Sequence, residues 1–515
     1  MHGQPLTFDL FSRYAFPSNP TLSFASIIFD KLPTLGNSQD PMHLLIDFSE
    51  MLLDMWNRCL QDKYYQPIFE LASLLSYTLQ LNTIDIVPHI ISTLLPLVQT
   101  TCFLVAVPRF NSSNGDLSNH PDVVVQQMAV EIDVTQLLSL LYLAAMGCLG
   151  TGPNPDVSLG NPQVQFWKYM TLEFILIMLS PKHPEQDFMG ILSLLCTSVL
   201  TDTVGPIPNP DLTLETLGAG RPDDETPEFS ARSLIDRVSY YLAEPPKWAP
   251  RRSVKGCRVR LAVLETLMAF AESPFGALQL ATSNLLIPRL VTVLSWAVDS
   301  LYDMEMAFDP AQLGRGALAR HGKHNDLNIA AEDSTITMTE ADTPGIKKDD
   351  LLLEPLTASG ATTIPFDQTD VDMPDVDVDI PAPPQSTVES SVLGSREQTG
   401  PSSADEAEID SDAERTTLLY QIINQLTLLL YTLVTDPHTA AVADPQAKLA
   451  TSAGSSALRK DYRYVLTLAR LAFAEEALVL ERGIGADTGE RAHELLELAV
   501  TMEEGQELLE LFGGP

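Results

Sequence analysis

The stretch QFWKYMTLEFILIMLSPKHPEQDFMGILSLLCTSVL, residues 165–200, constrains the fold more than any other part of the chain. Trp167, Met170, Phe174 and Ile177 recur at helical spacing while Lys168, Tyr169 and Glu173 fall off that line, so one helix with a wide apolar stripe is predicted. Pro181 and Pro184 bracket a short turn, and Phe188, Ile191, Leu192, Leu195 and Val199 then restart the pattern. Neither helix can bury its stripe alone. The two must pack on each other and on further helices, which makes a helical hairpin.

The same design recurs along the chain. Residues 42–60 and 64–81 form another pair, 132–149 a further helix, and 234–242, 259–271 and 285–301 three more. The first 300 residues hold no strand alternation, no fixed sequence period and no Gly-rich nucleotide loop. Helical pairs of uneven length joined by irregular loops predict an all-α fold, an irregular HEAT-like helical solenoid, with an irregular bundle as the plainer alternative. Two long apolar stretches invite comparison with membrane spans, which need about 20 predominantly apolar residues. Residues 84–107 contain Pro88, His89, Pro96 and Gln99, and residues 417–434 contain Gln421, Asn424 and Gln425. Both read as core helices, and no membrane partner is expected.

At 515 residues the chain calls for about three domain-sized units or one long array with linkers. Acidic residues number 68 against 31 basic, a formal net charge of -37 that repels nucleic-acid phosphate and anionic lipid. Tight direct binding to nucleic acid is therefore not expected. Cys59, Cys102, Cys148, Cys196 and Cys257 are far apart and odd in number, so they read as buried reduced thiols. The first residues show no secretory leader, and an intracellular address is expected. Around residue 310 the composition turns acidic and rich in Pro and Ser, as in VDMPDVDVDIPAPPQSTVESS. Such a segment cannot bury enough apolar surface to offset its ordering entropy. Three regions are thus expected: a helical-repeat domain over 1–305, a disordered acidic insertion over 306–413 and a C-terminal helical domain over 414–515. Ser411 and Glu414 read as a capping box opening the first C-terminal helix. Tyr464, Leu468, Leu471, Ala472 and Leu478 give the buried side of a later helix that Gly483 and Gly485 end. Two short amphipathic helices follow, with stripes at Leu495, Leu498 and Ala499 and at Leu508, Leu509 and Phe512. The second stripe either docks on the repeats or is a partner-binding site.

No grouping carries the marks of catalysis, so a non-enzyme without cofactor or metal is expected. His321 and His324 lack a Cys pair or an acidic partner at ligand spacing. His183 and His89 read as turn or helix-end residues. The run Asp372, Asp375, Asp377 and Asp379 lacks the central Gly and closing Glu of a calcium loop. The stretch KWAPRRSVKGCRVR breaks the acidic background with Lys247, Arg251, Arg252, Lys255, Arg258 and Arg260. It reads as a positive loop answering the protein's own acidic face, or else as a nuclear-import signal or a docking patch centred on Arg251, Arg252 and Lys255. Ser402, Ser403 and Ser411 have acidic residues three positions on, and Ser38 precedes Gln39, which makes these four the candidate phosphate acceptors.

The order of segments is itself distinctive. PQVQFWKYMTLEFILIMLSPKHPEQDFMGILSLLCTSVLTDTVGPI, SLIDRVSYYLAEPP, RVRLAVLETLMAFAESPFGALQLA and the terminal LARLAFAEEALVLERGIG and AHELLELAVTMEEGQELLELF resemble the helical-repeat and C-terminal regions of fungal checkpoint proteins of the ATR-interacting protein (ATRIP) family. The resemblance implies a nuclear, non-catalytic regulatory scaffold bound to a large ATR-type checkpoint kinase. It also implies an indirect link to single-stranded DNA through the replication protein A complex. Members usually carry an acidic recruitment motif and a long coiled coil ahead of the repeats, whereas this chain starts almost directly in repeat-like sequence. Recruitment then depends on an upstream segment or on other contacts. A general helical-repeat adaptor of trafficking or transcription is the alternative reading.

Overall fold

A computed structural model of the chain describes residues 7–35, 41–149, 161–198, 203–208, 227–308, 403–453, 457–473 and 483–500. The chain divides into two units. One is built from residues 1–308 together with 403–515, and the other, 309–402, lies wholly outside the described residues.

Helices dominate the described part. They are α1 (Thr7–Phe11), α2 (Phe24–Lys31), α3 (Pro41–Gln61), α4 (Ile68–Leu81), α5 (Thr83–Asn111), α6 (Val123–Glu131), α7 (Val134–Leu149), α8 (Pro162–Tyr169), α9 (Leu172–Met178) and α10 (Glu185–Cys196). A two-stranded ribbon follows, β1 (Thr203–Val204) pairing antiparallel with β2 (Ile207–Pro208) through a turn in which Gly205 takes φ +58°. Then come α11 (Pro227–Ala243), α12 (Val254–Ala271), α13 (Pro274–Thr282), α14 (Leu286–Phe308), α15 (Ser403–Thr435), α16 (Pro445–Ala453), α17 (Ala457–Ala472) and α18 (Ala486–Ala499). The expected all-α solenoid is what forms. Contacts pass from α3 to α5, α5 to α7, α7 to α10 and α10 to α12, so each helix buries its stripe on the next. One apolar core runs from Phe11 through Trp56, Leu94, Phe174, Leu264 and Leu430 to Leu495.

The predicted hairpin forms over residues 165–198, Val199 of its expected stripe lying outside the described residues, and with a break the periodicity did not foresee. Trp167, Met170, Phe174 and Ile177 are all buried as expected. The first helix nevertheless divides into α8 and α9 at Thr171, whose side chain caps α9 by accepting from Phe174 N. Gln99 of α5 stabilises the break: its Oε1 accepts from Thr171 N (3.0 Å) and Thr171 Oγ1 (2.9 Å), and its Nε2 donates to Tyr169 O (2.9 Å) and Leu95 O (3.1 Å). A buried amide thus supplies the partners that a continuous helix would have found in its own carbonyls.

By length and composition α5 and Asp412–Thr435 of α15 could cross a membrane. In the fold, Ile90, Leu94 and Val98 of α5 and Leu419, Ile423 and Leu430 of α15 are covered by neighbouring helices. Trp56 Nε1 of α3 donates to Thr101 Oγ1 of α5 at 3.1 Å, a buried polar tie of the kind expected of a core helix.

The PKHPEQD turn between α9 and α10 is fastened to the end of α5. Lys182 Nζ donates to the Phe110 and Ser112 carbonyls, both at 2.8 Å, and so satisfies groups left open at that helix terminus. Arg109 pairs with buried Asp187 at 3.2 Å, and Thr135 Oγ1 of α7 donates to the same carboxylate at 2.6 Å. Gly115, at φ +81°, lies so close that a Cβ there would stand 2.1 Å from Lys182 O. Tyr241 of α11 donates its hydroxyl to Leu179 O and closes the hairpin from the other side.

Beyond the insertion, α15 packs on α12 and α14, and α16 and α17 pack on α14. The expected boundary at residue 414 falls inside α15. The expected capping box at Ser411 and Glu414 does not form, because α15 is helical from Ser403 and both residues are interior to it. Lys448 of α16 is buried and donates to the Ala281 and Ser283 carbonyls at the end of α13, tying the C-terminal block to the repeats. In α18 the buried face is Thr488, Ala492, Leu495, Leu496 and Ala499. Leu498, expected in the stripe, is 63% exposed because Leu496 takes its place toward α17 and α15.

Candidate functional site

The basic stretch 247–260 separates into three groups once folded. Arg260 points inward, donating from Nε to Leu242 O (2.8 Å) and from Nη1 to Arg251 O (2.9 Å) and Gly256 O (3.2 Å), with its guanidinium 4.1 Å from the Trp296 ring centre. Burial lowers its pKa to about 10, so it stays charged and is held by carbonyl acceptors and the ring face. Lys255 pairs with Glu185 of α10 at 2.7 Å and Arg258 with Glu414 of α15 at 2.5 Å. Lys247, Arg251 and Arg252 are exposed, and among the described residues they make no ion pair. Of the patch expected at Arg251, Arg252 and Lys255, the two arginines, like Lys247 in the same loop, have no ion pair among the described residues, whereas Lys255 has an internal partner.

A second surface feature was not anticipated. Helices α4 and α7 pack side by side, with Gln136 Nε2 donating to Phe69 O (3.1 Å) and Ser73 Oγ (2.5 Å). Their outward sides expose Phe69, Tyr77 and Leu81 from α4, Ile84 just beyond it, and Tyr142 and Met146 from α7. The signal in the sequence was a second apolar line on α4, opposite Ile68, Leu71, Leu75 and Leu79. Periodicity reads the stronger line as core and passes over the weaker one.

The remaining sequence candidates are placed as follows. Leu508, Leu509 and Phe512 lie outside the described residues, as do Ser38, Ser402, His321, His324 and the Asp372–Asp379 run. Ser403 opens α15 and Ser411 lies within it. His183 is buried in the α9–α10 turn, where burial and the Arg109 charge lower its pKa to about 4. All five cysteines are reduced thiols outside any disulfide, with pKa raised by burial, Cys59 and Cys148 to about 12, which makes them poor nucleophiles. Among the described residues no group of three or more His, Cys, Asp or Glu side chains is placed to hold a metal ion.

Comparison with known proteins agrees with this architecture. Three family models match: the Rad26-like N-terminal domain over residues 1–40, the Rad26-like helical repeats over 97–434 and the Rad26-like C-terminal domain over 443–512. A search of the curated proteins finds no match. Among solved structures, the chain is similar to the crystal structure of Myceliophthora thermophila Rad26 (residues 373–841), with 42% identity and a TM-score of 0.66 over 95% of this chain and 96% of that one. With the repeat model spanning more than half of its length, the chain belongs to the Rad26-like family of helical-repeat checkpoint proteins, in agreement with the ATRIP-like resemblance of its sequence.

Proposed function

We propose that the chain is a non-catalytic regulatory scaffold that binds an ATR-type checkpoint kinase in the response to DNA damage and replication stress. The observation that carries this reading is the Rad26-like match across both the repeats and the C-terminal domain. A continuous helical array with outward Tyr77, Leu81, Tyr142 and Met146 suits a chain whose work is to hold another protein. On this reading the protein acts in the nucleus, and the link to single-stranded DNA runs through the replication protein A complex rather than through tight contact by this chain. The C-terminal residues Leu508, Leu509 and Phe512 supply part of the kinase contact.

Affinity purification of the tagged chain from its own cells tests this. A very large kinase recovered in near-equal amount supports the reading, and recovery of trafficking or transcription assemblies without it would replace it with the adaptor alternative. The variant Leu509→Asp/Phe512→Asp addresses the contact. It loses the kinase while the free protein keeps its thermal midpoint if those side chains face the partner, and it loses stability if they only cover the repeats.

A further inference from the structure

The loop between α11 and α12, residues 244–253, is built with unusual rigidity for a segment that presents charge to solvent. Pro245, Pro246 and Pro250 fix three backbone torsions in it. Ala249 N donates to Pro246 O (2.8 Å), and Ser253 N and Oγ both donate to Pro250 O (2.9 and 2.8 Å). Ser253 Oγ then caps α12 by accepting from Gly256 N at 3.1 Å. Gly256 is required by the same turn, since a Cβ there would stand 2.3 Å from Pro250 O. Trp248 is turned inward, its ring 5.8 Å from that of Phe188. From beneath, the buried Arg260 guanidinium holds the Arg251 carbonyl.

This frame presents exposed Arg251 and Arg252 immediately before α12, whose first turn holds no acidic residue, with exposed Lys247 on the same loop. Cations at a helix N-terminus oppose the helix dipole, so the arrangement is unfavourable until an anion answers it. Lys255 and Arg258, next along the chain, are already answered by Glu185 and Glu414, and Glu244 is exposed at the start of the same loop. The free positive field is therefore short.

We propose that Lys247, Arg251 and Arg252 form a preorganised docking loop for a short acidic peptide segment of a partner protein, with the adjacent arginines receiving neighbouring carboxylates or phosphates. Single-stranded nucleic acid fits less well. It needs an extended cationic track and aromatic faces for its bases, whereas here the one aromatic ring of the loop packs against Phe188 and the chain as a whole carries -37. Rigidity favours the peptide, because the loop loses little freedom on binding and guanidinium pairs recognise carboxylate and phosphate in a fixed fork. This inference stands apart from the kinase reading, since it concerns different residues and is tested without the kinase.

The test is fluorescence anisotropy at physiological salt on the full chain, with a fluorescein-labelled peptide carrying a run of glutamates, an uncharged Gly/Ser peptide and labelled oligo(dT). The glutamate peptide should bind saturably and the uncharged one should not. Arg251→Ala/Arg252→Ala should weaken binding about tenfold or more with an unchanged thermal midpoint, because only the Arg251 carbonyl takes part in the fold. Lys255→Ala, which removes a cation already paired with Glu185, should weaken it much less. Absence of binding, or equal binding to the double variant, overturns the proposal. So does oligo(dT) binding more tightly than the peptide and lost in the double variant, an outcome that assigns the loop to nucleic acid.

Discussion

His183 occupies a turn whose sequence, Pro-Lys-His-Pro, reads as surface, yet its side chain is 1% exposed. Arg109 at the end of α5, far away in the chain, acts on it there, and no local pattern connects the two. Loss of stability in acid is predicted from this placement. The ring is neutral in the fold with a pKa of about 4, while an unfolded histidine titrates near 6.5. As pH falls below 6.5 the unfolded state takes up a proton that the folded state refuses, so stability is full above 6.5 and is lost progressively toward pH 4. Asp187, whose pKa burial raises, acts in the opposite sense at the acid end. Comparison with His183→Leu isolates the histidine. Wild-type stability should fall by up to about 3 kcal/mol more than that of the variant between pH 6.5 and 4, measured by urea unfolding. Parallel pH profiles would show that the ring gains a proton in the fold as readily as in the unfolded chain. The basic loop teaches the same lesson about residues. Its charge could be read from KWAPRRSVKGCRVR, but the division into buried Arg260, paired Lys255 and Arg258, and free Lys247, Arg251 and Arg252 depends on Leu242, Glu185, Glu414 and Trp296.

At the scale of elements, the apolar stripes of α3, α4, α7, α12 and α14 were legible because each buries one face on a neighbour, and burial on one face is what periodicity records. The short helices α6 and α13 were passed over. Each has only a turn or two of pattern, and α13 follows α12 after Ser273 and Pro274. The break between α8 and α9 was hidden for a different reason: Trp167 through Ile177 keeps one stripe across it, and the residue that stabilises the break is Gln99 on another helix. Replacing Gln99 by Leu leaves Thr171 N and Tyr169 O without their partner inside the fold. Such unsatisfied groups cost about 1–3 kcal/mol each, so Gln99→Leu should destabilise the protein by about 3 kcal/mol, read as a lower denaturation midpoint with an unchanged slope. An unchanged midpoint would mean that the two half-helices fuse into the single helix expected from the sequence. The outward residues Tyr77 and Met146 mark the limit of this kind of reading, since a helix with two apolar sides gives no local sign of which one a partner covers.

Across the whole molecule, the described residues after 403 return to the repeats: α15 lies on α12 and α14, and Lys448 and Arg470 reach α13 and α14, the latter by a 2.6 Å pair with Asp299. The sequence announced a change of composition at each end of the insertion but not this return, because contacts between distant segments leave no periodic trace. Since residues 1–308 and 403–515 make one unit without the segment between them, replacing residues 312–398 by a flexible Gly/Ser linker should leave the thermal midpoint within about 2 °C of the intact chain. A fall of more than about 10 °C would show that the acidic segment contributes to the core. The solenoid and its family could be read from helices and turns. A scaffold's function was harder to read, because it resides in surfaces that are complete only with the partner present. The most direct test of the central claim is therefore sedimentation of the purified chain mixed with the purified ATR-type checkpoint kinase of the same organism. Co-sedimentation as one species with near-equal molar amounts of the two is the predicted result, whereas a folded chain that sediments separately from the kinase at micromolar concentration would contradict the account.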